Sequence, residues 1–399
     1  MVNSERHSLV GVPAIAPVLT LGVSLTHPNV FGVAWTLLVL ACLGFGLKHR
    51  VPTDKPNTAW KVWLLAFGPL TALSVFSAIF FGLSLSRAEV IELFVGGLAF
   101  CFGLRYFHLS KENVLWGLVL AALLGLGVGI YEFFVLGHAR VGMVFHPINF
   151  ALGCGASLLA LILLRPWAMH HPGQAIAVNV GVIASSLALL GTGSRGPILA
   201  TLFCLAAAWW LKREENITSH RLSNSKIGIT LMAVFLALAV VIFVIRFGVD
   251  LRLGTESSIG KRWQLIELSL AQMLQTPWLG IGTDQAGRFF SSFPAPISSL
   301  DHAHVTLLNL GLELGIPGLL SWLWAFLVLG WAFSRKETAL DPLVMRTGLI
   351  LSVYIFLCAL TQDLLSHAYT RKYLALTLGA LLVMRAYIAP QRENNHPHV

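Results

Sequence analysis

Twelve stretches of nearly continuous apolar sequence constrain this chain more than any other feature. About 20 apolar residues in a helix cross the hydrocarbon core of a bilayer. Runs of that size lie near 9–25, 29–47, 59–85, 88–106, 113–136, 147–164, 174–192, 197–212, 226–247, 312–333, 344–366 and 372–389. A helix satisfies its own backbone in lipid, so the runs predict an all-α integral membrane protein with about 12 transmembrane helices. Hydrophobic residues make up 56% and charged residues 11%, where a soluble globular chain carries about 25% charged residues. That balance excludes a soluble multidomain fold, a disordered chain and a disulfide scaffold. Cys42, Cys101, Cys154, Cys204 and Cys358 each sit inside an apolar run with no C-x-x-C spacing, and read as small buried hydrophobes. The first run shows no small-residue cleavage site and reads as an uncleaved span.

Orientation follows from the cations. Of 27 lysines and arginines, 17 fall on the side that also holds both termini, and 10 fall on the other: Arg87, Arg140, Arg195, Arg246, Arg252, Lys261, Arg262, Arg288, Arg371 and Lys372. The richer side is expected to be cytoplasmic, and the net charge of +9 then needs no nucleic-acid partner. The minority of ten is the informative set, because an outer loop has no topological use for a cation. The chain divides into spans one to nine (1–247), an outer segment (248–311) with short amphipathic helices, and spans ten to twelve with a tail (312–399). The middles of the spans are almost free of charge, with Glu92 and Glu132 the main exceptions. A transporter or flippase would instead bury ionisable groups at the midplane.

Four constellations stand out on the outer face. In Gly191-Thr-Gly-Ser-Arg-Gly-Pro197, Pro197 suits a first helical turn and Ser194 a cap. Free N–H groups and Arg195 would converge there on an anion, unless Arg195 merely anchors a tight turn to lipid headgroups. Ser258-Ile-Gly-Lys-Arg-Trp263 opens a helix with Trp263, Ile266, Leu270 and Met273 at helical spacing, which predicts an amphipathic helix at the membrane surface. Lys261 and Arg262 stand at its N-terminal end, either holding an anion or snorkelling. Asp301-His-Ala-His304 offers imidazoles that accept a proton near neutral pH. A zinc site needs three converging protein ligands, and a structural polar pair is the plainer alternative. Arg140-Val-Gly-Met-Val-Phe-His-Pro147 places Arg140 and His146 where a second anionic or sugar ligand, or simple anchoring, is served. Asp363, His367, Tyr369, Arg371 and Lys372 form a further polar cluster whose spacing specifies no reaction. Arginine grips phosphate oxygens bidentately and stays charged, so it suits a departing pyrophosphate.

These stretches, with Pro277-Trp-Leu-Gly-Ile-Gly282 and Glu313-Leu-Gly-Ile-Pro-Gly318, resemble the O-antigen ligase family of bacterial inner-membrane glycosyltransferases, related to O-antigen polymerases and O-oligosaccharyltransferases. The resemblance runs from about 140 to 320 and includes the span layout. It implies a GT-C-type bundle with one long periplasmic loop, in the bacterial inner membrane, with both termini cytoplasmic and the active site periplasmic. It implies inverting, metal-independent transfer of a glycan from undecaprenyl pyrophosphate to a lipid A-core sugar hydroxyl, with no cofactor. Membrane lipids are the remaining expected partners. Arg195 and Arg262 would hold the donor pyrophosphate, and His304 would deprotonate the acceptor. Arg140, His146, Lys261, Arg288 and His302 would serve as secondary substrate contacts. His304 rather than His302 matches the family spacing to Gly315, although this chain has Val305 where the family usually has asparagine. A polymerase or a protein O-oligosaccharyltransferase would use the same donor site.

Overall fold

The structure is a computed structural model and describes residues 20, 24–25, 27–48, 58–85, 90–103, 111–138, 140–142, 146–169, 171–217, 258–295, 297–335 and 341–387. Every regular element among them is helical: α1 (Pro28–Lys48), α2 (Ala59–Phe80), α3 (Val90–Gly103), α4 (Lys111–Ile130, continued by a π-turn, Tyr131–Val135), α5 (Pro147–Ala168), α6 (Pro172–Gly191), α7 (Arg195–Ile217), α8 (Ser258–Gln275), α9 (Ala286–Phe290), α10 (Thr306–Ser334), α11 (Pro342–Ala359) and α12 (Ala368–Tyr387). Among the described residues six stretches are long and apolar enough to cross a membrane: α2, α4 with its π-turn, α5, α6, α10 and α11. Shorter apolar stretches lie in α1, α3 and α7. Ten of the twelve expected runs fall on these helices and on α12. The run near 226–247 and nearly all of that near 9–25 lie outside the described residues, as do Arg87, Arg246 and Arg252.

Helix α5 sits at the centre of the bundle and is almost wholly buried. Its middle reads Gly153-Cys-Gly-Ala-Ser157, small residues that let neighbours approach closely. The Tyr354 hydroxyl of α11 donates to the Leu152 carbonyl at 3.1 Å, and Tyr373 of α12 to Gly153 at 3.1 Å. All five cysteines are free and buried, as their apolar settings predicted.

The alternating helices place residues 81–85, 136–138, 140–142, 146, 192–195, 276–295, 297–305 and 360–367 at one end, the loop end. At the other end Lys111 pairs with Asp341 at 2.7 Å, and Asp341 caps α11 through Leu343 N at 2.9 Å. Arg140, Arg195, Arg288, Arg371 and Lys372 fall at the loop end. Lys61, Arg165, Arg335, Arg346 and Arg385 sit on helix ends at the opposite one. Glu92 and Glu132 are both at the loop end. Glu92 accepts from Arg371 at 3.0 Å and Lys372 at 3.2 Å, and the fully buried Glu132 accepts from Gly142 N in the π-turn region. Glu92 is thus paired with two cations, and Glu132 with a backbone N–H, both near helix ends.

The two largest boundary differences from the hydropathy reading are in α10 and α11. Helix α10 begins at Thr306 rather than near 312, and α11 stops at Ala359 rather than near 366. The reason is local polarity satisfied by tertiary contact. Thr306 donates to the Gln362 carbonyl through both N (3.0 Å) and Oγ1 (2.8 Å), and its Oγ1 accepts from Leu364 N at 2.9 Å. A polar first turn is thereby packed on protein instead of lipid, which an apolar-run criterion misses.

Helix α10 breaks at Gly315 (φ 70, ψ −166). Pro317 has no N–H for the Glu313 carbonyl, and Ile316 N turns away to donate to Pro277 O at 2.8 Å. The two carbonyls left over are taken by the 277–282 turn: Ile281 N donates to Leu312 O and Gly282 N to Glu313 O, both at 3.0 Å. Gly280 and Gly315 permit this backbone-to-backbone approach. A Cβ at Gly280 would stand 2.4 Å from Glu313 O, and one at Gly315 2.4 Å from Pro277 O.

Candidate active site

The loop-end arginine turn is built from two distant stretches. Arg140 donates through Nε to Thr192 O at 2.8 Å and through Nη2 to Ser194 Oγ at 3.3 Å, while Val141 N donates to Gly191 O at 3.1 Å. Ser194 N donates to Thr192 Oγ1 at 3.1 Å, tightening the turn that presents Arg195 as the first residue of α7. Arg195 is exposed there, beside the open N–H groups of the helix start. The next residue packs against the 360–364 segment: a Cβ on Gly196 would lie 2.6 Å from Thr361 Oγ1. Through Gln362 and Thr306 that segment leads directly to the histidines.

Four imidazoles gather at this place. The His302 and His304 ring centroids are 4.5 Å apart, those of His302 and His367 5.6 Å, and those of His146 and His367 5.8 Å. Among the described residues only three non-glycines have positive φ: His146 (71), Asp284 (55) and His304 (57). Each costs about 1–3 kcal/mol, and strain of this kind concentrates at functional sites. Asp284 lines a polar cavity of about 300 Å³ together with Asp301, His302, Asn309, Glu313, Asp363 and His367, and the rings of His304 and His146 stand beside those of His302 and His367. Glu313 is held there by Ala286 N at 3.3 Å. Among the described residues no three histidine, cysteine or carboxylate side chains come together as a metal-binding group.

The other sequence candidates are distributed differently. Arg288 is exposed on α9, and among the described residues its guanidinium has no partner. Lys261 and Arg262 fall in the first turns of α8, and their side chains lie outside the described residues. On α8, Leu265 and Ser269 turn inward, whereas Trp263 and Leu270 of the expected apolar face are exposed, as is Leu274, the disposition of a helix with lipid on its outer side. Arg371 and Lys372 are engaged by Glu92. His367 is the residue whose place in the site the sequence did not indicate, since only the fold brings the end of α11 to the 302–304 turn.

Burial lowers the pKa of His146, assisted by His302 and Arg140. It lowers that of His367 to about 4, assisted by His302 and His146. Both imidazoles are therefore neutral at pH 7. The unfolded chain takes up a proton at His367 near pH 6.5, while the folded protein resists until about 4, so lowering the pH through this window favours unfolding. The Tm of purified protein is expected to fall between pH 7 and pH 5, and to fall less in His367→Gln. An identical pH profile in the two proteins would contradict this.

Residues 180–323 match the family model described as O-Antigen ligase. That stretch of the chain is similar to the O-antigen ligase family. No curated protein matches the chain. The O-antigen ligase match spans most of α6, all of α7, α8 and α9, and α10 past its kink. It therefore includes Arg195, Lys261, Arg262, Arg288, His302 and His304. Arg140, His146 and His367 lie outside the matched stretch and are brought to it by the bundle. The O-antigen ligase family is one of membrane glycan-transfer proteins of ligase and polymerase type, which accords with the apolar helices of this chain.

Proposed function

We propose that this protein is an O-antigen ligase. It transfers a glycan from undecaprenyl pyrophosphate to a lipid A-core sugar hydroxyl at the periplasmic face of the bacterial inner membrane, with both termini in the cytoplasm. The observation that carries this reading is the convergence, at one end of the bundle, of the Arg140–Arg195 turn and the imidazoles of His146, His302, His304 and His367. In the proposed reaction His304 takes the proton of the acceptor hydroxyl, whose oxygen attacks the anomeric carbon opposite the leaving group and inverts it. The sugar–phosphate bond breaks, and the pair of electrons leaves on the diphosphate, which Arg195 and Arg262 stabilise. Arg140 fixes the turn that carries Arg195, while Lys261 and Arg288 add positive potential for an anionic headgroup. His146 and His302 complete the polar wall. Permanent guanidinium charges supply the neutralisation that a divalent cation supplies elsewhere, so transfer is expected to be indifferent to EDTA.

The test is reconstitution of purified protein in vesicles with a lipid-pyrophosphate-linked glycan and three acceptors: lipid A-core, a second lipid-linked glycan and an unfolded protein. Glycan on the lipid A-core alone is the expected result. Product on the second lipid-linked glycan would identify a polymerase instead, and product on protein an O-oligosaccharyltransferase. No product on any acceptor would end the transferase reading.

A further inference from the structure

We propose that the 300 Å³ cavity is the acceptor-sugar subsite, and that it selects a terminal sugar that is neutral or amine-bearing over one carrying phosphate or carboxylate. This rests on the glycan-transfer reading and adds the class of acceptor to it. The cavity is lined by four carboxylate residues, Asp284, Asp301, Glu313 and Asp363, and among the described residues no lysine or arginine lines it. A diphosphate therefore does not belong there. The arginine turn at 192–195 stands outside it, and the two charge signs divide the loop end into a donor-headgroup side and a second side.

The second side is built to hold hydroxyl groups. Asn309 is 7% exposed and lines the cavity. Its Oδ1 accepts from Ala303 N at 3.2 Å, and among the described residues its Nδ2 has no partner. A donor facing the cavity in this way offers a hydrogen bond to an acceptor atom of a ligand. A sugar hydroxyl supplies one, and in turn donates to the carboxylates. Asp363 is already held, accepting from Leu365 N at 3.0 Å and from the Ser366 hydroxyl, so its charge is fixed in place. His302 and His367 line the same cavity, and His304 lies beside His302. A hydroxyl bound here is within the reach of an imidazole base. An acceptor bearing an anionic group would face the aspartates Asp284, Asp301 and Asp363, which suppresses wrong partners by a large factor.

The experiment uses the full chain in vesicles with a lipid-pyrophosphate-linked glycan and two forms of one acceptor glycolipid, with and without a phosphate on the terminal sugar. Wild-type protein is expected to prefer the unphosphorylated form about 100-fold in kcat/KM. In Asp284→Asn/Asp301→Asn the preference is expected to narrow about tenfold, with the donor KM unchanged. Both carboxylates are exposed, and asparagine adopts the positive φ of position 284 readily, so this variant keeps the fold. Equal use of the two acceptors by wild type, or a preference untouched by the double substitution, overturns the subsite assignment and leaves glycan transfer standing. No transfer to either form overturns the transferase reading itself, and the subsite with it.

Discussion

Alanine at Arg195 or at Arg262 is expected to lower glycan transfer by about 100- to 1,000-fold while leaving folded protein in the membrane. That is the effect of removing one preorganised donor to a developing anion, about 3–4 kcal/mol of transition-state stabilisation. Lysine at either position restores only part of the rate, because a point charge does not reproduce the planar two-pronged grip on phosphate oxygens. Alanine at His304 is expected to cost about 100- to 10,000-fold through loss of the general base, with donor binding retained. Arg140→Ala differs in kind. Its guanidinium is engaged by Thr192 and Ser194, so its loss loosens the turn, and the predicted effect is smaller. Product formation and donor binding in reconstituted vesicles separate these outcomes. Full activity in Arg262→Ala would remove the leaving-group role assigned to it.

Gly315→Ala is expected to destabilise the protein by roughly 3–5 kcal/mol, combining backbone strain with displaced hydrogen bonds. Position 315 holds a conformation that side-chain-bearing residues avoid, and a Cβ there meets the Pro277 carbonyl at 2.4 Å. Pushing that carbonyl away breaks the bond from Ile316 N and disturbs those from Ile281 and Gly282 to the opened helix. Glu313, Asn309 and the histidine turn are carried by the same short helical piece, so transfer falls along with stability. Gly330→Ala in the same helix is the control: nothing lies within 4 Å of a Cβ at that position, and no loss is expected. A Gly315→Ala protein with the Tm and protease resistance of wild type would refute the account of the break.

Much of the bundle could be read along the chain because lipid imposes a one-dimensional requirement: a long enough apolar run must become a helix. The described helices accordingly follow the runs from α1 to α7 and from α10 to α12. That rule fails where polar residues are satisfied by protein, as at Thr306, whose first turn rests on Gln362 and Leu364. On α8 helical spacing grouped Trp263 and Leu270 with Ile266 and Met273, and the exposed Trp263 and Leu270 fit an outer face at the membrane surface while the bundle takes the Leu265–Ser269 side. The glycine motifs at 280–282 and 315–318 were visible in the sequence. Their mutual hydrogen bonding across the break was not, since spacing along a chain carries no information about which backbone another backbone will meet.

For the candidate site the division is similar. Arg140, Arg195, His146, His302 and His304 stood out in the sequence as cations and imidazoles on the minority side. That Arg140 and Ser194 form one hydrogen-bonded turn, that His367 joins the other three imidazoles, and that four carboxylates enclose a cavity beside them are matters of packing. By itself the sequence determined a helical membrane bundle and the set of polar residues at its loop end, because the cost of exposing backbone and charge to hydrocarbon applies residue by residue. Only the tertiary structure decided which of those residues share a pocket, because residues from 140 to 367 become neighbours only when α5, α7, α10 and α11 pack side by side.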